Sequence, residues 1–418
     1  MKTHRVGLEA TPAHVPLAEE RRFELTPPPI TYAGNRVRLL VNGDEYFPQL
    51  LAAIEAARRS ISLETYIFAD DNIGTRVAAA LSAAASRGVA VKVLIDGYGG
   101  GDYARKLVRE LSVQGIDARI YRPERWWRLE RKLLRRLHRK MSVFDEALAF
   151  VGGINIIDDH NLPEGERGRL GPRFDFAVMC EGPIVAAVGL ASKRLWWTIS
   201  FVDPRKASGR LPMMSMQPRL TAFPDGVAAS LLLRDNLRHR RAIERAYMVA
   251  IERSHDDIVI ANAYFLPGRR FRSALRDAAA RGVRVRLLLQ GRIEYAIQHF
   301  AQRALYGQLL EAGIEIFEYV PTYLHAKVAV IDERWATVGS SNIDPYSLLL
   351  AREANVVVYD ATFSRQLRSV LEHAIAADAI QIKAQDYGRR GWIAKLRDWI
   401  AFGVLRFATA VIARGKIY

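Results

Sequence analysis

The chain has 418 residues, half of them apolar and a quarter charged, enough for two or more soluble cores. It carries a net charge of +16 and a single cysteine, Cys180, which excludes intramolecular disulfides and favours polyanionic partners, either nucleic acid or an acidic membrane surface. It contains no run of about 18 apolar residues and no apolar N-terminal stretch, so neither a spanning helix nor a signal peptide is expected, and the lone cysteine points to a reducing compartment.

Residues 1–34 are polar, with a proline run at Thr26–Pro29, and read as a flexible arm. A first domain, 35–202, opens with a strand, a helix and a strand over Asn35–Phe68. A helical stretch Ile73–Ser86 follows, then Arg87-Gly88 as a helix stop and a buried strand ending in Asp96-Gly97. Arg122–Lys140, "RPERWWRLERKLLRRLHRK", is densely cationic. As a helix it puts Leu129, Leu133, Leu134 and Leu137 on one side, extended by Trp126, with arginines opposite, the pattern of a helix lying in an anionic bilayer interface. It runs into "LHRKMSVFD", Leu137–Asp145, and then "VGGINI", Val151–Ile156.

The stretch 203–226 is rich in Pro, Gly and polar residues without a period and reads as a linker, its Met213, Met214 and Met216 incidental. A second domain, 227–385, repeats the first. A strand at Asp257–Pro267 leads to a helix at Arg269–Ala280, and Arg281-Gly282 stops it before a strand ending in Gln290-Gly291. "LHAKVAVID", Leu324–Asp332, then leads to "VGSSNI", Val338–Ile343. Strand–helix–strand order in two copies predicts an α/β fold of two like halves packed face to face. The tail 386–418 spaces Trp392, Leu396, Trp399, Ile400, Gly403 and Phe407 at helical intervals and reads as an amphipathic membrane-interface segment.

The repeated spacing has a chemical reading. On a strand, residues two apart share a face, so His138 projects with Lys140 and His325 with Lys327. Asp145 and Asp332, the third members of each motif, fall out of phase near a turn, where structural hydrogen bonds within the turn or across the halves are expected. Two histidines and two lysines meeting across an interface suit a phosphodiester. The lysines, with Asn155 and Asn342, can hold phosphoryl oxygens. One neutral imidazole can attack phosphorus while the other, protonated, releases the alkoxide, so the pair is expected to hold opposite protonation states. The lysines supply the positive charge, so no metal or other cofactor is expected; "DDH", Asp158–His160, reads as loop acids rather than a metal site.

With both motifs in view, the chain resembles the phospholipase D superfamily through "HRKMSVFD", "HAKVAVID", "GGIN" and "SSNIDP", over most of residues 35–385. It is most similar to the bacterial cardiolipin synthases, particularly their B type, through "ANAYFLPG", "LLLQGRIEY" and "TVGSSNIDPYSLLLAREAN". The resemblance implies two repeats, each a mixed β-sheet flanked by helices, related by a pseudo-twofold axis with the active site between them. It implies a ping-pong phosphatidyl transfer through a phosphohistidine, in which one phosphatidylglycerol donates, glycerol leaves and a second phosphatidylglycerol accepts. It makes His138 the nucleophile and His325 the acid, an order the residues alone leave open. It also implies acids downstream of each motif that pair across the halves, and Asp175 and Glu353 match those positions. The expected partner is an anionic phospholipid surface, bound peripherally at the cytoplasmic face of a bacterial inner membrane, with no obligate protein partner. The competing reading is a phosphodiesterase hydrolysing phospholipid or, against expectation, nucleic acid, and the acceptor stays open.

Overall fold

The computed structural model describes residues 29–123, 136–163, 165–202, 221–235, 241–344 and 351–414. Most of the expected N-terminal arm, the basic tryptophan-bearing stretch 124–135 and the linker methionines lie outside the described residues. The first half runs β1 (Thr31–Val41), α1 (Asn42–Ala56), β2 (Ser60–Thr65), α2 (Asn72–Ser86), β3 (Ala90–Asp96), α3 (Gly101–Val113), β4 (Asp117–Tyr121), β5 (Arg136–Leu137), β6 (Lys140–Phe144), β7 (Leu148–Gly152), β8 (Phe176–Glu181) and α4 (Ile184–Val202). The second runs β9 (Val227–Arg234), α5 (Ala242–Glu252), β10 (Asp257–Asn262), α6 (Arg269–Ala280), β11 (Arg284–Gln290), α7 (Ala296–Arg303), α8 (Tyr306–Leu310), β12 (Glu315–Tyr319), β13 (Lys327–Ile331), β14 (Trp335–Gly339), β15 (Ala351–Tyr359) and α9 (Ala361–Asp378). The chain continues with β16 (Ala379–Ile382), α10 (Ala384–Gly388) and α11 (Trp392–Arg414).

Local chemistry sets several of these boundaries. The Asp71 side chain caps α2 by accepting the Gly74 amide at 2.9 Å. Gly88 and Gly282 end α2 and α6 at φ 88° and 91°, where a side chain would be strained. All five residues of β6 and of β13 are buried, as in strands covered on both faces. Two sequence expectations are corrected. β1 begins at Thr31, inside the stretch read as an arm. Arg136 and Leu137 form a strand paired with β15, not the end of a helix, because Leu137 gains a buried site beside Leu94, Tyr121 and Leu195.

Each half is one mixed sheet, ordered β4-β3-β2-β6-β7-β8-β1 and β12-β11-β10-β13-β14-β15-β9, with β16 beyond β12. The pseudo-twofold relation is visible in these matched orders. The halves join edge to edge where β1 meets β9. β1 gives Thr31, Tyr32 and Asn35 to β9 and Arg36–Val41 to β8, with an irregularity at Gly34, φ 75°. From β15 to β7 is four strand steps, about 19 Å in a flat sheet, yet the two pack directly against each other. The sheet therefore folds back at the joint, and the halves face each other as well as sharing an edge. One core between them takes residues from both: Val151, Val178 and Val188 of the first half with Val330, Val356 and Leu367 of the second.

α11 is docked by a narrow face. Ala401 and Leu405 are buried in the second-half core, and Asp398 is buried between Arg390 at 2.7 Å and Arg397 at 3.0 Å. Its other face leaves Trp392 at 73 % and Phe407 at 72 % exposure, with Leu396, Trp399, Ile400 and Val404 also exposed. Among the described residues no helix is long and apolar enough to cross a membrane.

Candidate active site

β6 and β13 start at Lys140 and Lys327, and each histidine sits two residues earlier. Cross-half pairing places both histidines. The His138 amide donates to the Arg352 carbonyl at 3.0 Å, and the His325 amide donates to the Phe174 carbonyl at 2.8 Å. Each of those carbonyls immediately precedes an acid. His138 Nδ1 therefore lies 3.0 and 3.1 Å from the Glu353 carboxylate, and His325 Nδ1 lies 2.6 Å from Asp175 Oδ2. Both acids are buried, whereas the imidazoles keep 17 % and 21 % of their surface. With Nδ1–H donating to the carboxylate, the lone pair sits on Nε2, the outward nitrogen. Lys140 Nζ donates to the His138 carbonyl at 2.7 Å, and Lys327 Nζ to the His325 carbonyl.

The two acids are held differently. Gly153 brings backbone against Asp175, so close that a Cβ there would meet Oδ1 at 2.3 Å. Its counterpart Ser340 instead donates to Glu353 Oε2 at 2.5 Å. The contrast between "GGIN" and "GSSN" carried this, and the sequence reading passed over it. It also passed over Asp96 and Gln290, at the ends of the repeated β3 and β11. Asp96 Oδ2 accepts the Leu137 amide at 2.7 Å and Gln290 Oε1 accepts the Leu324 amide at 2.9 Å, so each fixes the residue before a histidine. Tyr66 packs edge-on against His138 with ring centroids 4.9 Å apart; the residue after β10 at the matching place is Ala263.

Burial is the main cause of the site's electrostatics. It pushes His325 down to about 3, with Lys327 adding and Asp175 opposing, and pushes His138 below its ordinary value against the opposing pull of Glu353. It also lowers Lys140 to about 7 and Lys327 to about 8. Burial opposes ionisation of Glu353, but His138, Lys140 and Ser340 outweigh it and hold that carboxyl below the usual range. The expected opposite protonation states are therefore not built into the surroundings of the pair, since burial disfavours the charged form of both imidazoles more than the carboxylates favour it.

Asp145 and Asp332 stand away from the imidazoles, in left-handed turn positions at φ 51° and 49°. Asp145 accepts the amides of Arg58, Arg59 and Ser60 at 2.7–2.8 Å, and Asp332 those of His255, Asp256 and Asp257 at 2.8–3.0 Å. These bonds stay within one half, which removes the cross-half alternative. Asp145→Ala and Asp332→Ala are each expected to cost about 1–3 kcal/mol of stability while leaving activity per folded molecule nearly unchanged. Denaturant titration beside active-site-normalised turnover checks this.

Asn155 and Asn342 are buried at the starts of their loops. Asn155 Oδ1 accepts the Ile67 amide at 3.0 Å, which leaves its NH₂ to donate; Asn342 Oδ1 has no hydrogen-bond partner among the described residues. The "DDH" residues lie in the loop after β7. Asp159 is buried, accepts the Gly43 amide at 2.5 Å and is raised by burial to about 7, while Asp158 Oδ1 accepts the His160 amide at 2.9 Å.

The family described as "Cardiolipin synthase, PLD-like domain" matches residues 50–166 and 247–375. "Cardiolipin synthase B" of Shigella flexneri is 40 % identical over 380 residues, 91 % of this chain and 90 % of that protein. "Cardiolipin synthase A" of Pseudomonas fluorescens is 30 % identical over 360 residues, 85 % and 72 % of the two chains. Among solved structures, the phosphatidylserine synthase of Haemophilus influenzae superposes with a TM-score of 0.65 at 14 % identity, over 94 % of this chain and 98 % of that one, a likeness of fold.

Proposed function

This chain belongs to the cardiolipin synthase family of the phospholipase D superfamily, and we propose that it joins two phosphatidylglycerol molecules with release of glycerol, through a phosphohistidine on His138. The crossed histidine–carboxylate pairs, each flanked by a buried lysine, carry this reading. Nε2 of neutral His138 attacks phosphorus. The P–O bond to glycerol breaks, and the departing oxygen takes a proton from His325. The hydroxyl of the second lipid then gives its proton to His325 as its oxygen attacks phosphorus, the P–N bond breaks, and both imidazoles return to their starting forms. Lys140, Lys327 and the amides of Asn155 and Asn342 stabilise the phosphoryl oxygens.

His325 needs a proton that burial disfavours, and the substrate supplies the reason to take one. A phosphodiester anion about 4 Å away contributes about 4 kcal/mol at an effective dielectric of 20, or about three pKa units. That lifts an imidazole depressed to about 3 into a useful range. The exposed apolar face of α11, on a chain of net charge +16, supports peripheral attachment to an anionic membrane, the cytoplasmic face of a bacterial inner membrane on this reading.

Purified protein incubated with phosphatidylglycerol liposomes should yield cardiolipin and glycerol by mass spectrometry. Phosphatidic acid as the main product would favour the hydrolytic reading instead. In the same assay kcat/KM should already decline with rising pH below neutrality, because His325 must take up a proton that burial disfavours, and should fall more steeply as pH passes about 7 to 8, where Lys140 and Lys327 lose theirs. The alkaline limb of kcat should lie higher, because a bound phosphate favours the charged lysines. An alkaline kcat/KM limb near 10 would contradict this.

A further inference from the structure

We infer that a second anion site lies between α6 and α11, and that it takes the phosphoryl headgroup of an anionic phospholipid whose acyl chains lie along the exposed face of α11. The inference rests on the membrane-surface reading above. A cavity of about 320 Å³ opens here, lined by Arg269 and Arg272 from the first turn of α6 and by Trp399, Phe402, Gly403 and Arg406 from α11. No carboxylate lines it. Three guanidinium groups thus share the lining with no acid among them; burial, then Arg406, Arg269 and Arg276, depress Arg272, whose guanidinium donates to the Pro267 carbonyl at 2.7 Å.

The arginines are also misplaced for helix stability. Cations in a first turn oppose the helix dipole, and an anion there is favoured. The matching helix of the first half, α2, is capped by Asp71, whereas α6 starts after Gly268 with no side-chain cap. The two halves therefore differ at this place, and the second half keeps a cationic, uncapped helix start beside exposed Trp399. Guanidinium groups next to exposed indole and phenyl rings match the boundary between lipid headgroups and acyl chains. α6 follows β10, whose last residue Asn262 pairs with Lys327, so the chain enters α6 from the end of the sheet that carries the second His–Lys pair.

The test uses the full chain and co-sedimentation with phosphatidylcholine vesicles containing phosphatidylglycerol. Arg269→Gln with Arg406→Gln should weaken binding about 25-fold, about fivefold per arginine at a membrane surface. Arg76→Gln with Arg109→Gln, exposed on α2 and α3, removes the same charge and should change binding less than about twofold. Inorganic phosphate at matched ionic strength should not displace the protein. Equal losses in the two double variants, displacement by free phosphate, or the same loss on a single-stranded oligonucleotide would each overturn the site. Failure of the wild-type chain to bind these vesicles would overturn the membrane reading and the site together, whereas wild-type binding with unaltered variants overturns the site alone.

Discussion

His325→Ala is expected to lose transfer from phosphatidylglycerol by about 10⁴-fold or more, yet still release one equivalent of p-nitrophenol from an activated phosphatidyl ester. Glycerol is a poor alkoxide leaving group and needs a proton, which His325 supplies on this account. p-Nitrophenolate is stable without one. The His138 nucleophile, Glu353 and both lysines remain in that variant, so the first step should proceed once and stop, since nothing then deprotonates the acceptor hydroxyl. His138→Ala should give no burst with either ester. Rapid-quench measurement of the first turnover separates the two roles, which steady-state rates at one pH do not. A burst from His138→Ala and none from His325→Ala would reverse the order.

Glu353→Gln and Asp175→Asn should each lower turnover by about 10² to 10⁴-fold. The carboxylates fix the Nδ1–H tautomer from 3.0 and 2.6 Å, and a primary amide can present its NH₂ instead and drive the proton to Nε2. The pairs cross between halves, which makes the prediction specific. Glu353→Gln, though its residue belongs to the second half, should slow the burst that depends on first-half His138. Asp175→Asn should spare the p-nitrophenol burst and slow the steps that need a proton at His325. Ser340→Ala, which releases only one of the bonds on Glu353, should cost about tenfold. The opposite assignment of bursts would mean that each acid serves the histidine of its own half.

The duplicated strands, helix stops and His–Lys pairs were legible because β6 and β13 are buried on both sides and the repeat is written in similar residues. Asp175 and Glu353 were reached only through family likeness, since nothing in their local sequence says they face the other half's histidine. Asp96 and Gln290 were hidden for another reason: an aspartate and a glutamine perform one task, accepting a leucine amide, at matched positions. Arg136-Leu137 was misread as helix because leucine and arginine spacing outvoted a pairing with β15 that only the tertiary fold supplies. The downward shift of both histidines escaped the sequence for the same reason, as burial is a property of the assembled halves.

On this mechanism a covalent intermediate forms on one histidine of a site shared by the two halves. The most direct measurement is peptide mapping by mass spectrometry of His325→Ala quenched at alkaline pH, where phosphohistidine survives, after one exposure to the activated ester. A phosphatidyl adduct on the peptide carrying His138 is the predicted result; an enzyme that completes its burst with no adduct on His138 would contradict it.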